Sequence, residues 1–223
     1  MKKILIITTL LSVLLVGCGK DNYDEPTSVI RGKVTYNGKA IGVRGTAEVI
    51  QLQLYQDGYQ LKDHIPVYVG QDGSFSAKVF DGQYKLVARS NNGPWVNASQ
   101  DTVIINLKGN TEVNYEVTPY FTIDNVAIAL NADKNISANF TINKVVQSAT
   151  VRYYSLIVNK TAFVDDAINI WRKEYTDPNL SVSLSEDLSS LNQINTNGPL
   201  FARVGVRSNL SEQPIYSEVV KIK

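Results

Sequence analysis

The sequence predicts an all-β chain of two tandem antiparallel β-sandwiches behind an N-terminal signal peptide. Three observations predict it. Apolar residues recur at every second position in run after run, the period that places one face of a strand in a core. The runs are separated by Asn37-Gly38, Asp57-Gly58, Asp72-Gly73, Asp81-Gly82 and Lys108-Gly109-Asn110, residues that tolerate the positive φ of hairpin turns. About 200 residues follow the signal peptide, enough for two sandwiches of roughly 100 each. Thr118-Pro119 stands near their midpoint, and proline tends to end a strand. The predicted divisions are a signal peptide at 1–17, an acidic tether at 18–28, a first sandwich at 29–118 and a second at 119–223.

Lys2 and Lys3 form a positive n-region, and the apolar run Ile4 to Val16 is too short to span a bilayer comfortably. Gly17 then precedes Cys18, the only cysteine. Leu15-Val16-Gly17-Cys18 resembles the bacterial lipobox. The resemblance implies cleavage before Cys18 and lipid on its sulfur, so the expected first partner is a membrane. From the residues alone, an ordinary secretory signal with an incidental cysteine competes with this reading. Each buried methylene of such a lipid contributes about 0.8 kcal/mol. Gly19 to Pro26 is polar, with too little apolar surface to order itself. Its Asp21, Asp24 and Glu25 resemble the acidic signal that sends lipoproteins of gut Bacteroidetes to the outer face of the outer membrane. A plain solvated linker has the same composition.

Removal of Met1 to Gly17 takes away Lys2 and Lys3, leaving 20 basic against 21 acidic residues and a formal charge of −1. No basic stripe attracts nucleic acid. With Cys18 lipidated, no thiol remains for a disulfide, a thiolate metal site or a cysteine nucleophile.

In the first sandwich, Ile30, Gly32, Val34 and Tyr36 alternate with Arg31, Lys33 and Thr35. Leu52-Leu54, Phe75-Ala77-Val79, Tyr84-Leu86-Ala88, Val103-Ile105-Leu107 and Val113-Tyr115-Val117 repeat the pattern. The stretch Gly32 to Ile41 resembles the opening hairpin of carboxypeptidase regulatory-like domains. Asp72-Gly73-Ser74-Phe75 and Asp81-Gly82-Gln83-Tyr84-Lys85-Leu86 resemble that family's closing strands. The resemblance implies a transthyretin-like sandwich, usually non-catalytic. Ala47 to Pro66 exceeds the compact family pattern and is expected to form a long hairpin or a loop.

In the second sandwich, runs at Val126–Leu130, Ile136–Ile142, Ala149–Val158, Leu180–Leu184, Leu200–Val206 and Tyr216–Ile222 give an immunoglobulin- or fibronectin-like strand count. Phe201 to Asn209 with Tyr216 to Val220 resembles the last hairpin of fibronectin-type domains. Two segments break the pattern. Phe163, Val164, Ala167, Ile168 and Trp171 recur at helical spacing, so a short helix or a loop carrying Trp171 is expected. Ser185 to Leu191 reads as a short helix with Ser185 as N-cap.

The chemistry-bearing residues are few. His64 is the only histidine, and no Gly-x-Ser-x-Gly elbow accompanies it. Zinc would need several His or Cys ligands. Calcium would need an Asp-x-Asp-x-Asp type of loop, and Asp72-Gly73 and Asp165-Asp166 read instead as a turn and a helix start. No frame sets out the paired carboxylates of a glycosidase. The sequence therefore predicts no catalytic residue, no metal and no cofactor. Asp101-Thr102-Val103 resembles the O-glycosylation motif of Bacteroidetes, which would place sugar on Thr102. Sugars stack on aromatic rings beside amides, and two places are candidates: Trp95 with Asn91, Asn92 and Asn97, and the stretch Trp171-Arg172-Lys173-Glu174-Tyr175. The competing reading for both tryptophans is core packing.

The whole layout resembles a family of two-domain Bacteroidetes surface lipoproteins, a carboxypeptidase regulatory-like domain followed by an immunoglobulin-like one. Members tend to be encoded near SusC/SusD-type glycan importers. The resemblance implies a non-enzymatic accessory role in glycan capture and import, with glycans and importer components as partners. A structural or adhesive subunit that binds other proteins is the alternative.

Overall fold

In the computed structural model, which describes residues 24–58, 63–97, 102–177 and 179–223, the alternating runs become strands. The first half holds β1 (Ser28–Tyr36), β2 (Lys39–Ala40), β3 (Gln51–Gln56), β4 (Ile65–Tyr68), β5 (Ser74–Val79), β6 (Gly82–Ala88), β7 (Val103–Leu107), β8 (Thr111–Glu112) and β9 (Tyr115–Glu116). One sheet runs β2-β1-β5 with β8 and β9 also on β1, and the other runs β4-β3-β6-β7. Ile30, Val34, Leu52, Leu54, Phe75, Tyr84, Leu86 and Tyr115 fill the space between them. The long-hairpin expectation for Ala47 to Pro66 holds: β3 pairs antiparallel with β4.

An entirely antiparallel first sandwich was expected, and here the structure differs. β8 and β9 run parallel to β1. After β7 the chain crosses to the other sheet and returns beside β1, whose opposite edge β5 already occupies. The approach is close. A Cβ on Gly32 would stand 1.7 Å from the Val113 carbonyl oxygen, so only glycine fits there.

The second half holds β10 (Phe121–Leu130), β11 (Asn135–Lys144), β12 (Val151–Asn159), β13 (Trp171–Tyr175), β14 (Ser181–Asp187), β15 (Phe201–Ser208), β16 (Ile215–Tyr216) and β17 (Val220–Lys221). Sheet β10-β11-β14 packs on sheet β13-β12-β15-β16, with β17 also on β15, in a fibronectin-like arrangement. Ile136, Phe140, Leu156, Val158, Val204 and Val206 are the core.

Neither expected helix forms. Phe163 to Ile170 is a series of bends and Trp171 opens β13. Asp165 explains this. Its Oδ1 accepts the backbone N–H groups of Ala167 and Ile168 at 3.0 and 2.9 Å, and its own N–H donates to the Ile168 carbonyl at 3.2 Å. These local bonds compete with a helical ladder. Ser185 is not a cap but a strand residue opposite Ser137. Pairing with β11 buries Val182 and half-buries Leu184, and this outweighs the capping signal. The short helix is a 3-10 turn further on, at Asn192–Asn195.

The two sandwiches are locked together. The loop after β2 and the turn at Gln71 lie against the outer face of the β12–β15 sheet. Gly42 forms an antiparallel bridge with Tyr216. Arg203 points outward from β15 yet is only 1% exposed. Its Nε donates to the Ser217 carbonyl at 2.7 Å, Nη1 to the Val43 and Val164 carbonyls at 3.2 Å each, and Nη2 to the Gln71 carbonyl at 2.7 Å. Its guanidinium carbon lies 4.5 Å from the Tyr216 ring centroid. Burial pulls its pKa down to about 10, against the pull of Tyr216, Asp165 and Asp72, so it stays charged at neutral pH. Beside it, Asp165 accepts the Thr46 N–H at 3.0 Å and the Thr46 hydroxyl. Arg44 and Asp166 meet as an ion pair at 3.4 Å without hydrogen-bond alignment.

Two predictions follow from this interface. Truncation by Arg203→Ala removes a donor from four carbonyls, of which that of Gln71 keeps the Val43 N–H at 3.1 Å, and is expected to destabilise the chain by about 3–5 kcal/mol. Denaturant unfolding should then split into two transitions; a single unshifted transition would show that the guanidinium is dispensable. The second concerns acid. Burial works to raise the Asp165 pKa, but the Thr46, Ile168 and Ala167 donors hold it below the ordinary carboxylate value. The stabilisation is therefore present above the unfolded value of about 3.9 and is lost as pH falls from there through the lower folded value. Asp165→Asn should flatten the stability profile in that acid window, as urea midpoints against pH would show.

Candidate functional site

Where the two sandwiches meet, they leave a cleft of about 810 Å³. One wall comes from the first domain: Lys33 and Lys39 of the β1–β2 hairpin, and Asp72. The other comes from the second: Ile123 to Val126 of β10 and Glu218 to Val220. Arg203 and Tyr216 line it between these walls. A smaller hollow of about 240 Å³ shares Lys39, Asp124 and Tyr216 with it and adds the half-buried ring of Tyr36.

Local structure sets these groups. A bulge between Asp124 and Ala127 breaks the β10–β11 register, with Asn125 at φ 54°. Bulges re-aim side chains in this way. Asn143 Nδ2 donates to Asp124 Oδ2 at 2.6 Å and Thr122 Oγ1 to the same oxygen at 3.3 Å. Asp124 is thus held in place with its other oxygen unengaged by described residues. Gly42 has no room for a side chain: a Cβ would meet the Tyr216 carbonyl oxygen at 2.4 Å and Arg203 Nη2 at 2.7 Å. Burial, and then the neighbouring Asp166, push the Tyr216 phenol pKa upward, so it stays protonated. Hydroxyl-bearing ligands would find fixed donors and acceptors here. His64 is elsewhere, on the first domain's β3–β4 hairpin, 3.3 Å from Asp63 and 5.9 Å from the Tyr55 ring. Among the described residues no group of three His, Cys, Asp or Glu could hold a metal ion.

The structure corrects the expected sugar platform at Trp95. The indole is 5% exposed and packs in the core. It folds back over Gly93, where a Cβ would lie 2.2 Å from the ring. Its segment is pinned at the junction: Val96 N–H donates to the Thr118 carbonyl at 2.8 Å, Tyr120 N–H to the Pro94 carbonyl at 3.2 Å and Ser211 Oγ to the Gly93 carbonyl at 3.0 Å. The Asn92 amide is occupied at both ends, and Asn97, exposed like Asn91, has its oxygen engaged. Asn92 accepts the Gln51 N–H at 2.6 Å and donates to the Val49 carbonyl at 2.7 Å; Asn97 accepts the Asn91 N–H at 3.0 Å. Trp171 is half-buried opposite Val158, packed against the core. Thr102 is exposed immediately before β7. Cys18 and the tether up to Tyr23 lie outside the described residues. The cleft residues Lys39, Asp124, Arg203 and Tyr216 were not singled out from sequence. An arginine within Ala202-Arg203-Val204-Gly205-Val206 reads as the solvent side of a strand, and only the docked domain makes that side interior.

The comparisons agree with this architecture. The model of the "Protein of unknown function (DUF3823) N-terminal domain" matches residues 28–118, and that of the "Domain of unknown function (DUF3823_C)" matches residues 121–221. Among curated proteins, none matches. A DUF3823 family protein from Parabacteroides merdae is 49% identical, with a TM-score of 0.85, over 90% of this chain and 100% of that one. One from Bacteroides ovatus is 37% identical, with a TM-score of 0.77, over 88% and 98%. A candidate carbohydrate-binding protein from Bacteroides uniformis shares the fold at 18% identity, with a TM-score of 0.74, over 89% and 99%. With both of its sandwiches matched in order, the chain belongs to the two-domain DUF3823 family.

Proposed function

We propose that the protein is a non-catalytic glycan-binding lipoprotein of the outer membrane. In this reading it faces the cell exterior and serves capture and import beside SusC/SusD-type importers. The observation that carries the binding role is the interdomain cleft: charged and amide side chains from both domains surround Arg203 and Tyr216, which the interface holds rigid. Such a surface suits the many hydroxyls of a sugar better than an apolar ligand. The Bacteroides uniformis relative of the same fold, a candidate carbohydrate-binding protein, supports the reading. The anchor rests on the sequence, on Lys2 and Lys3, the apolar run and Gly17-Cys18.

Affinity in the millimolar range, near −4 kcal/mol, is expected for a single sugar-sized contact. Titration with neutral oligosaccharides followed by NMR should perturb Lys39, Asp124 and Tyr36. Asp124→Asn and Lys39→Ala should each weaken binding about fivefold, the loss of roughly one hydrogen bond, with the unfolding midpoint unchanged. Binding that survives both changes would place the sugar elsewhere, and binding only to other proteins would favour the adhesive alternative. Cys18→Ala should move the protein from the membrane fraction to the soluble one; a variant that still sediments with membranes would overturn the lipid anchor.

A further inference from the structure

We infer a second saccharide site, selective for acidic sugars, on the outer face of the β5-β1-β8 sheet. The inference rests on the glycan-binding reading and adds a ligand class to it. A shallow depression of about 430 Å³ lies there, lined by Tyr68, Ser74, Ser76, Arg31, Lys33 and Glu112 and sharing only Lys33 with the cleft. Its shape follows from the register. Ser76 stands opposite Arg31 and Ser74 opposite Lys33, while Glu112 flanks Arg31 on the other side. Two small serines between longer neighbours make a trough across the strands.

Tyr68 closes the trough at one end. β4 ends there, and the next residue, Val69, bridges to Phe75 at the edge of β5. The chain thus turns from one sheet toward the other and carries Tyr68 round the corner, 40% exposed. Both tryptophans of the chain are packed against the core, so this ring is an aromatic face open to a sugar. From Tyr68 to Glu112 the trough crosses three strand intervals, about 14 Å. That suits a short stretch of polymer lying across the strands.

Charge sets the ligand class. Arg31 and Lys33 project from the same face of β1, two residues apart, about 7 Å. The Arg31–Glu112 pair is loose, 3.7 Å apart with side chains 68% and 69% exposed. Lys33 has no ion pair among the described residues. Asp72, the other carboxylate near Lys33, is engaged by the Ser74 N–H at 3.1 Å and hydroxyl at 2.6 Å. Among the side chains that line the trough two cations face one carboxylate, beside an aromatic ring and hydroxyls. The ionised Asp72 behind Ser74 offsets part of that charge, so selectivity comes from where Lys33 and Arg31 stand, not from net charge. A carboxylate or sulfate on the sugar would sit between Lys33 and Arg31 while a neighbouring ring stacks on Tyr68.

Affinity electrophoresis of the soluble chain from Ser28 onward, containing both complete sandwiches, tests this. Gels would contain polygalacturonate, chondroitin sulfate or neutral galactomannan; the first two separate carboxylate from sulfate. Retardation by at least one acidic polymer is expected, weakened about tenfold by Tyr68→Ala and by Lys33→Gln, restored by Lys33→Arg and unaffected by the cleft change Asp124→Asn. Lys144→Gln, on an exposed residue of the second domain, should leave it unchanged. An equal loss in Lys144→Gln would reduce the effect to non-specific charge and overturn the site. Retardation by galactomannan that Asp124→Asn alone weakens would overturn the acidic site and leave the cleft reading standing. No retardation by any acidic polymer would overturn it as well.

Discussion

The arrangement of the two domains depends on one buried charge. Arg203 is surrounded by carbonyl oxygens from four separate places: Val43 and Gln71 in the first domain, and Val164 and Ser217 in the second. A guanidinium taken out of water must have its donors satisfied, or it costs several kcal/mol. Its planar fork also fixes where each acceptor stands. Moving one domain against the other would break several of these bonds together. The interface is therefore specific in angle, where a purely apolar contact could slide. Apolar packing accompanies it: the cores of the two sandwiches join in one buried cluster, and Ile157, Val164 and Tyr216 form a separate one beside Arg203.

The junction itself forms a second strut. Thr118 and Pro119 link the domains in sequence, and the Trp95 segment crosses over them, bridging to Pro119 and bonding to Ser211 of the second domain. A tryptophan beside asparagines and proline had the composition of a ligand loop, but a domain boundary with a bulky indole packed across it has the same composition. The indole serves as a wedge between the end of one sandwich and the start of the next. Arg203 and Trp95 hold the interface at two places, and rotation about a single linker is blocked.

The strands were legible because burial on one face writes itself into the sequence with period two. Leu52-Leu54, Ile136-Ala138-Phe140 and Val204-Val206 all show it. What escaped were features decided by contacts distant in sequence. The parallel return of β8 and β9 leaves no local mark except Gly32, which reads as an ordinary strand glycine until Val113 lies on it. The segment Phe163 to Ile170 carries apolar residues at helical spacing, yet the Val164 N–H bonds Gln71 of the other domain and Asp165 folds its own backbone around its carboxylate. The cleft was illegible for the same reason. Lys39 and Asp124 are 85 positions apart in the numbering, and nothing in either neighbourhood announces that they share a hollow.

Rigidity also bears on how weak contacts could serve a surface protein. A single aromatic or hydrogen-bonded contact to a sugar contributes only on the order of 1 kcal/mol, too little alone to hold a polymer. Two sites on one body act differently. Their separation is constant, so a chain held at the first is presented to the second at a fixed effective concentration, without the loss that a flexible linker would impose. In the proposed arrangement the hairpin of β1 and β2 supplies this geometry. Lys33 lines both the cleft and the trough, so the two surfaces meet along one strand. Arg203 fixes that strand against the second domain through the backbone at Val43. The buried cation then matters for binding although it need touch no sugar: it sets the angle at which the two surfaces present themselves to one chain.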